Sequence, residues 1–157
     1  MVASSPGAGR GSEFVIRLPL DRVVEAPAVE PAPPKAVEKS VLIVEDNADA
    51  SEVLRIMLEL AGHRVRTASS GKEAIEDTRA YVPDVALVDI GLPDIDGCEV
   101  GRTVRAQPRG AEVYLVALTG HDAPADHERV RQAGFDFYLV KPVDPTKLLD
   151  VIAQGHR

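Results

Sequence analysis

From about Lys39 onward the sequence predicts a doubly wound α/β domain of five βα units around a parallel sheet, in three layers. Two observations carry this. Short β-rich apolar runs alternate with helical periods. Three of those runs also end on charged residues, at the strand ends where open parallel sheets build their sites.

The strands fall at about 41 to 45, 64 to 68, 84 to 89, 112 to 118 and 136 to 140. The third and fourth are nearly all apolar, which puts them in the middle of the sheet, buried on both faces. The first helix spans about Ala48 to Ala61, with Val53, Met57 and Leu60 at i, i+4 and i+7, Glu52, Arg55 and Glu59 on its polar face, and Gly62 placed to end it. The fourth, about Pro124 to Ala133, offers only Val130, Ala133 and Ala123 as apolar contacts and should be the loosest layer. The last starts clearly: Asp144 can cap free amides, Pro145 suits the first helical position, and Leu148, Val151 and Ile152 line one face.

Residues 1 to 38 differ, holding six of the twelve prolines. Positions 21 to 38 are a Pro/Ala-rich linker without a core of its own. Within the tail, Phe14-Val15-Ile16-Arg17-Leu18-Pro19 has strand chemistry but no evident partner strand. Pairing of residues 14 to 18 with an exposed sheet edge of another copy is one route to a homodimer.

The formal charge of -7 and pI near 5.1 argue against direct nucleic-acid binding, which needs clustered Lys and Arg. No run approaches the ~18 apolar residues of a membrane span, and no signal segment opens the chain, so the expected location is cytoplasmic, without membrane contact. Cys98, the single cysteine, reads as a packing residue. His63, His121, His127 and His156 show no metal spacing and read as surface residues.

The chemistry gathers at the strand ends. Val41-Leu42-Ile43-Val44 leads into Glu45-Asp46, Val85-Ala86-Leu87-Val88 into Asp89, and Phe137-Tyr138-Leu139-Val140 into Lys141-Pro142. Connection rules leave a crevice beside the first and third strands, where the three carboxylates crowd together. Such crowding is sensible only with a cation among them or with some of them protonated, and oxygen ligands alone favour a hard ion, Mg²⁺ or Mn²⁺. With Lys141, that ion could neutralise a phosphoryl group in flight onto Asp89. Thr119 ends the fourth strand and its hydroxyl would reach the same crevice.

Glu45-Asp46, Asp89 followed by Leu92-Pro93 and Asp96-Gly97, Thr119, and Lys141-Pro142, in this order and spacing, resemble the receiver domain of two-component response regulators over about residues 39 to 155. The resemblance implies a flavodoxin-like fold with strand order 2-1-3-4-5. It implies that Asp89 is the phosphoacceptor, that Asp46 is a metal ligand, that Glu45 acts on the metal mostly through water, and that the Gly91 backbone carbonyl is a further ligand. Lys141 would pair with the phosphoryl group, with a cis bond to Pro142. Thr119 and Tyr138 match the family's switch pair, read out through the fourth helix, fifth strand and fifth helix. The family usually has bulkier or polar residues where Gly91 and His121 stand, which bears on the lifetime of the phosphorylated state.

Less specifically, Gly9-Arg10-Gly11-Ser12-Glu13-Phe14-Val15-Ile16-Arg17-Leu18-Pro19 is similar to the last glycine box and final strand of histidine-kinase ATPase domains. That makes residues 1 to 20 the remnant of an upstream ATPase domain and the chain the C-terminal part of a hybrid histidine kinase. No kinase catalytic domain is expected within the chain. The last helix ends about where the chain does, so no output domain is expected to follow. The implied partners are the phosphohistidine domain of a histidine kinase or a histidine phosphotransfer protein.

Competing motifs fail on spacing. Gly7-Ala8-Gly9-Arg10-Gly11 does not fit a dinucleotide fingerprint, and Ser70-Gly71-Lys72-Glu73 lacks both the earlier glycine and the hydroxyl residue of a P-loop. Asp94-Ile95-Asp96-Gly97 fails as a calcium loop because Leu92 and Thr103 occupy the end positions. A phosphatase of the aspartyl-phosphate type would want a carboxylate where Gly91 stands. Two function classes stay open: a phosphoryl-accepting switch, and a receiver-shaped interaction module acting without phosphorylation.

Overall fold

A computed structural model of the chain describes residues 2–4, 11, 13–15, 37–120 and 123–155. The chain divides into two units, Met1–Pro34 and Lys35–Arg157. In the first, Val2–Ser4 (β1) pairs antiparallel with Glu13–Val15 (β2), Val2 opposite Val15 and Ser4 opposite Glu13. This corrects the expectation of a strand without a partner: the partner lies in the same chain. Positions 16 to 18 of the expected strand lie outside the described residues. With three residues on each side, neither strand is long enough to show an alternating pattern.

In the second unit strands and helices alternate: Ser40–Val44 (β3), Ala48–Leu60 (α1), Arg64–Ala68 (β4), Gly71–Ala80 (α2), Val85–Asp89 (β5), Gly97–Arg105 (α3), Tyr114–Thr119 (β6), Pro124–Gln132 (α4), Phe137–Val140 (β7) and Pro145–Gln154 (α5). All neighbours in the sheet are parallel, in the order β4-β3-β5-β6-β7. Counted within the unit this is 2-1-3-4-5, the expected flavodoxin-like arrangement.

Side chains alternate across the strands and build a core on each face of the sheet. Leu42, Val44, Ala86, Val88, Leu115 and Ala117 meet Ala74 of α2, Val100 and Val104 of α3 and Val130 of α4. Val41, Ile43, Val85, Leu87, Val116 and Leu118 meet Leu54 and Leu58 of α1 and Leu148, Val151 and Ile152 of α5. Cys98 is a packing residue as expected, and burial pushes its thiol pKa up.

Helix α1 turns a different face to the sheet from the one its sequence suggests. Ser51, Leu54 and Leu58 are buried, whereas Val53 is 60% and Leu60 83% exposed. The two stripes lie side by side on the helix, and the small polar Ser51 interrupts the apolar reading of the buried one. The helix starts at Asn47, whose side chain accepts hydrogen bonds from the Asp49 and Ala50 amides. It ends as expected at Gly62, whose amide reaches the Glu59 carbonyl at 3.0 Å. In α4 only Val130 is buried, with Ala133 just beyond its end, and Ala123 is exposed rather than packed.

The sheet end opposite the charged strand ends is polar. Asp84 accepts from the Ser40 amide at 2.7 Å and from its hydroxyl at 2.6 Å. The buried Lys39 ammonium donates to the carbonyls of Ile152 at 2.7 Å and Gly155 at 2.8 Å, capping α5. His63 is buried, not a surface residue, with Nδ1 accepting from the Lys39 amide at 3.3 Å. Burial, and then the Lys39 charge, hold its pKa below the ordinary 6.5.

Leu58→Ala should cost ~2–5 kcal/mol and Leu60→Ala less than ~0.5 kcal/mol, as read from chemical unfolding. Because the folded state binds the His63 proton less tightly than the unfolded chain, the histidine's contribution is full above the unfolded pKa and is lost as pH falls through the folded one. The thermal midpoint of the wild type should therefore drop below pH 6.5 more steeply than that of His63→Gln. Parallel pH profiles would refute this.

Candidate functional site

Backbone hydrogen bonds at the charged edge hold neighbouring strand ends side by side. The Glu45 amide donates to Ala68 at 3.1 Å, the Ile90 amide to Leu118 at 3.0 Å, and the Lys141 amide to Thr119 at 2.7 Å. Four strands thereby deliver Glu45, Asp89, Thr119 and Lys141 to one edge. Glu45, Asp89 and Thr119 are buried, while Asp46 and Gly91 are exposed.

The ammonium of Lys141 sits between two of the carboxylates, 2.5 Å from Glu45 Oε2 and 2.9 Å from Asp89 Oδ2. Burial works to lower its pKa, but the bonds to Glu45 and Asp89 outweigh that and hold it above the usual lysine value. The remaining oxygens are also engaged: Glu45 Oε1 accepts from the Asn47 amide at 3.3 Å and Asp89 Oδ1 from the Gly91 amide at 3.0 Å. The Lys141–Pro142 peptide is cis.

Glu45, Asp46 and Asp89 each present an oxygen, and the three oxygens lie within 4.8 Å of one another. An all-oxygen set of this kind fits a hard divalent cation, and one ammonium, paired with two of three carboxylates, leaves the cluster negative. The pocket can thus hold a cation beside a nucleophilic carboxylate, with Lys141 as a second positive charge.

The loop from Ile90 to Asp96 leaves the sheet at this edge and is tied back to it at its far end. The Gly97 amide donates to the Ile90 carbonyl at 3.1 Å, and a Cβ on Gly97 would stand 2.2 Å from the Asp89 carbonyl oxygen. Only glycine allows that approach. Asp96 caps α3 through the Cys98 amide at 2.8 Å and pairs with Arg129 of α4.

Tyr138 is half-buried on β7. Its ring stacks on His127 of α4, with centroids 4.2 Å apart, and its hydroxyl lies 3.4 Å from His127 Nδ1. Sequence reasoning assigned neither Asn47, His127 nor Arg129 to this region; Asn47 could have been found as a capping residue ahead of α1. His121 lies outside the described residues.

A groove of about 540 Å³ leads away from the pocket. Glu45, Lys141 and Pro142 line its charged end, and Val53 and Met57 of α1 line its apolar end. Beyond Val53 the α1 surface continues with exposed Ile56 and Leu60. No described helix is long and apolar enough to cross a membrane.

Comparison with known proteins gives the same picture. Polar-differentiation response regulator DivK of Brucella ovis is 33% identical over 114 residues, covering 73% of this chain and 93% of that protein. The receiver domain of sensor histidine kinase PA1611 from Pseudomonas aeruginosa, solved with magnesium coordinated in its active site cleft, matches with a TM-score of 0.71 and 33% identity over 75% of this chain and 97% of that one. Chemotaxis response regulator CheY4 of Vibrio cholerae matches with a TM-score of 0.72 and 28% identity, over 75% and 98%. With the response regulator receiver domain model also matching residues 41–153, the chain belongs to that family and carries a receiver domain of two-component signalling.

Proposed function

We propose that Asp89 accepts a phosphoryl group from a phosphohistidine, carried by a histidine kinase or a histidine phosphotransfer protein. The observation that carries this reading is the Lys141 ammonium held between Glu45 and Asp89. It sets a fixed positive charge against the nucleophile, at the place where phosphoryl oxygens must arrive. An Asp89 carboxylate oxygen forms the new bond to phosphorus as the phosphorus–nitrogen bond breaks, and the imidazole leaves with that electron pair. Lys141 pairs with a phosphoryl oxygen, and the Thr119 hydroxyl donates to another. Glu45, Asp46, Asp89 and the Gly91 carbonyl would hold Mg²⁺, which supplies further positive charge against the phosphoryl oxygens. The acidic oxygen cluster supports this, as does the magnesium-bound receiver of PA1611. Thr119 and Tyr138 form the switch, read out through α4, β7 and α5.

The donor's histidine-bearing helix docks along the groove, with its apolar face against Val53, Ile56, Met57 and Leu60 of α1. That stripe is continuous with the pocket through Pro142 and Lys141.

The domain belongs to a hybrid sensor histidine kinase in this reading, with residues 1 to 20 the end of an ATPase domain and residues 21 to 38 a linker. Two things support it: β2, which pairs antiparallel with β1, lies in the segment from Gly9 to Pro19 that resembles the final strand of such domains, and the receiver of PA1611 is itself part of a sensor histidine kinase.

Intact-mass spectrometry with a small phosphodonor should show a Mg²⁺-dependent phosphoryl adduct in the wild type that is absent in Asp89→Asn. An equal adduct in the variant would overturn the assignment. No adduct in a folded, Mg²⁺-loaded wild type would instead favour an interaction module. Leu60→Asp combined with Ile56→Asp should slow transfer from a phosphohistidine donor about thirtyfold, the scale of losing a hot-spot contact of ~2 kcal/mol, while the small-phosphodonor rate stays unchanged. Equal slowing of both would place the effect in the pocket rather than at the docking face.

A further inference from the structure

We infer that Asp94 is a positioning residue for the cation site: its carboxylate pins the loop carrying Gly91 to the start of α2, and so sets how well the site binds Mg²⁺. This rests on the proposed reading that the Gly91 carbonyl contributes to a Mg²⁺ site.

The near side of the loop from Ile90 to Asp96 is fixed by the Gly97 and Asp89 contacts. On its far side, Asp94 Oδ1 accepts from the Gly71 amide at 2.9 Å and Oδ2 from the Lys72 amide at 3.1 Å. These are the first two amides of α2, which have no partner within the helix. The helix has its own cap, since Ser70 Oγ accepts from the Glu73 amide at 3.3 Å. Asp94 therefore joins two segments distant in the chain. Two bonds to consecutive amides fix the orientation of the carboxylate as well as its distance, and the positive end of the helix dipole favours the charge there. The Gly71 bond leads in holding the Asp94 pKa below the usual carboxylate value.

Packing supports the same attachment. A Cβ on Gly71 would stand 3.0 Å from Ile95 Cβ and 3.2 Å from the Ile95 carbonyl oxygen, so the loop lies directly on the helix start. Leu92 adds a buried anchor from the loop's own apolar side. Without Asp94 the loop would lose both side-chain bonds to α2 and keep only the packing of Leu92 and Ile95 on either side of Pro93 and Asp94. A ligand that needs one loop conformation binds more weakly in proportion to the fraction of time that conformation is occupied.

Titration calorimetry with Mg²⁺ on the full chain tests this with wild type, Asp94→Ala, Asp94→Asn and Ser70→Ala. Asp94→Ala should bind Mg²⁺ several-fold more weakly, short of the ~10–100-fold lost when a direct support of a ligand is removed. Asp94→Asn should lie between, because its amide oxygen can still accept from one of the two N–H groups. Ser70→Ala should lower the thermal midpoint while leaving Mg²⁺ affinity unchanged, which separates a weakened helix start from a released loop. Amide exchange at residues 91 to 95 should quicken in Asp94→Ala. Unchanged Mg²⁺ affinity in Asp94→Ala would overturn the inference, as would an equal loss in the Ala and Asn variants that disappears at high salt, which would reduce the effect to lost charge. A wild type that takes up no Mg²⁺ would overturn the metal reading beneath it, and is distinguished by the wild-type titration alone.

Discussion

Glu45 and Asp89 are carboxylates that the sheet buries at adjacent strand ends, and both face the single ammonium of Lys141. A carboxylate so placed is tolerable only beside a cation, and removing one partner of a buried pair costs ~3–5 kcal/mol. The partners come from β3, β5 and β7, with β6 between the last two. The interaction therefore exists only if the strand order is right and each strand ends in register, which the backbone bonds from Glu45, Ile90 and Lys141 secure. Architecture and electrostatics impose one condition: the sheet must be correct for the charges to be bearable.

Much of this was legible in the sequence because two signals coincide. β5 and β6 are buried along nearly their whole length, so they read as apolar runs, and the charged residues mark where those runs stop. The orientation of α1 was not legible, since Val53, Met57 and Leu60 make as good a stripe as Leu54 and Leu58 once Ser51 is discounted. Lys39, His63 and Asp94 were missed for a different reason. Each bonds to backbone groups of segments far away in sequence, and a backbone partner leaves no residue type to recognise. His127 escaped because its partner, Tyr138, sits on a strand whose place beside α4 is a property of the assembled sheet.

α4 is joined to the rest of the domain largely by polar and aromatic contacts. It buries only Val130 within its length, yet reaches the loop after Asp89 through Arg129 and Asp96 and reaches β7 through His127 and Tyr138. An exposed ion pair contributes little to stability. What these contacts do supply is geometry, because one helix touches both the loop after Asp89 and the aromatic residue of β7. A displacement at either place is felt by an element with little apolar packing to resist it.

The Lys39 cap on α5 has a consequence for how such a unit is used in longer polypeptides. Its ammonium lies 2.8 Å from the Gly155 carbonyl, so the chain enters and leaves the fold within the reach of one lysine side chain. A body whose ends lie close together can be spliced into, doubled within or removed from a larger protein with little displacement of what lies on either side. The edge that gathers Glu45, Asp89 and Lys141 lies at the other end of the strands.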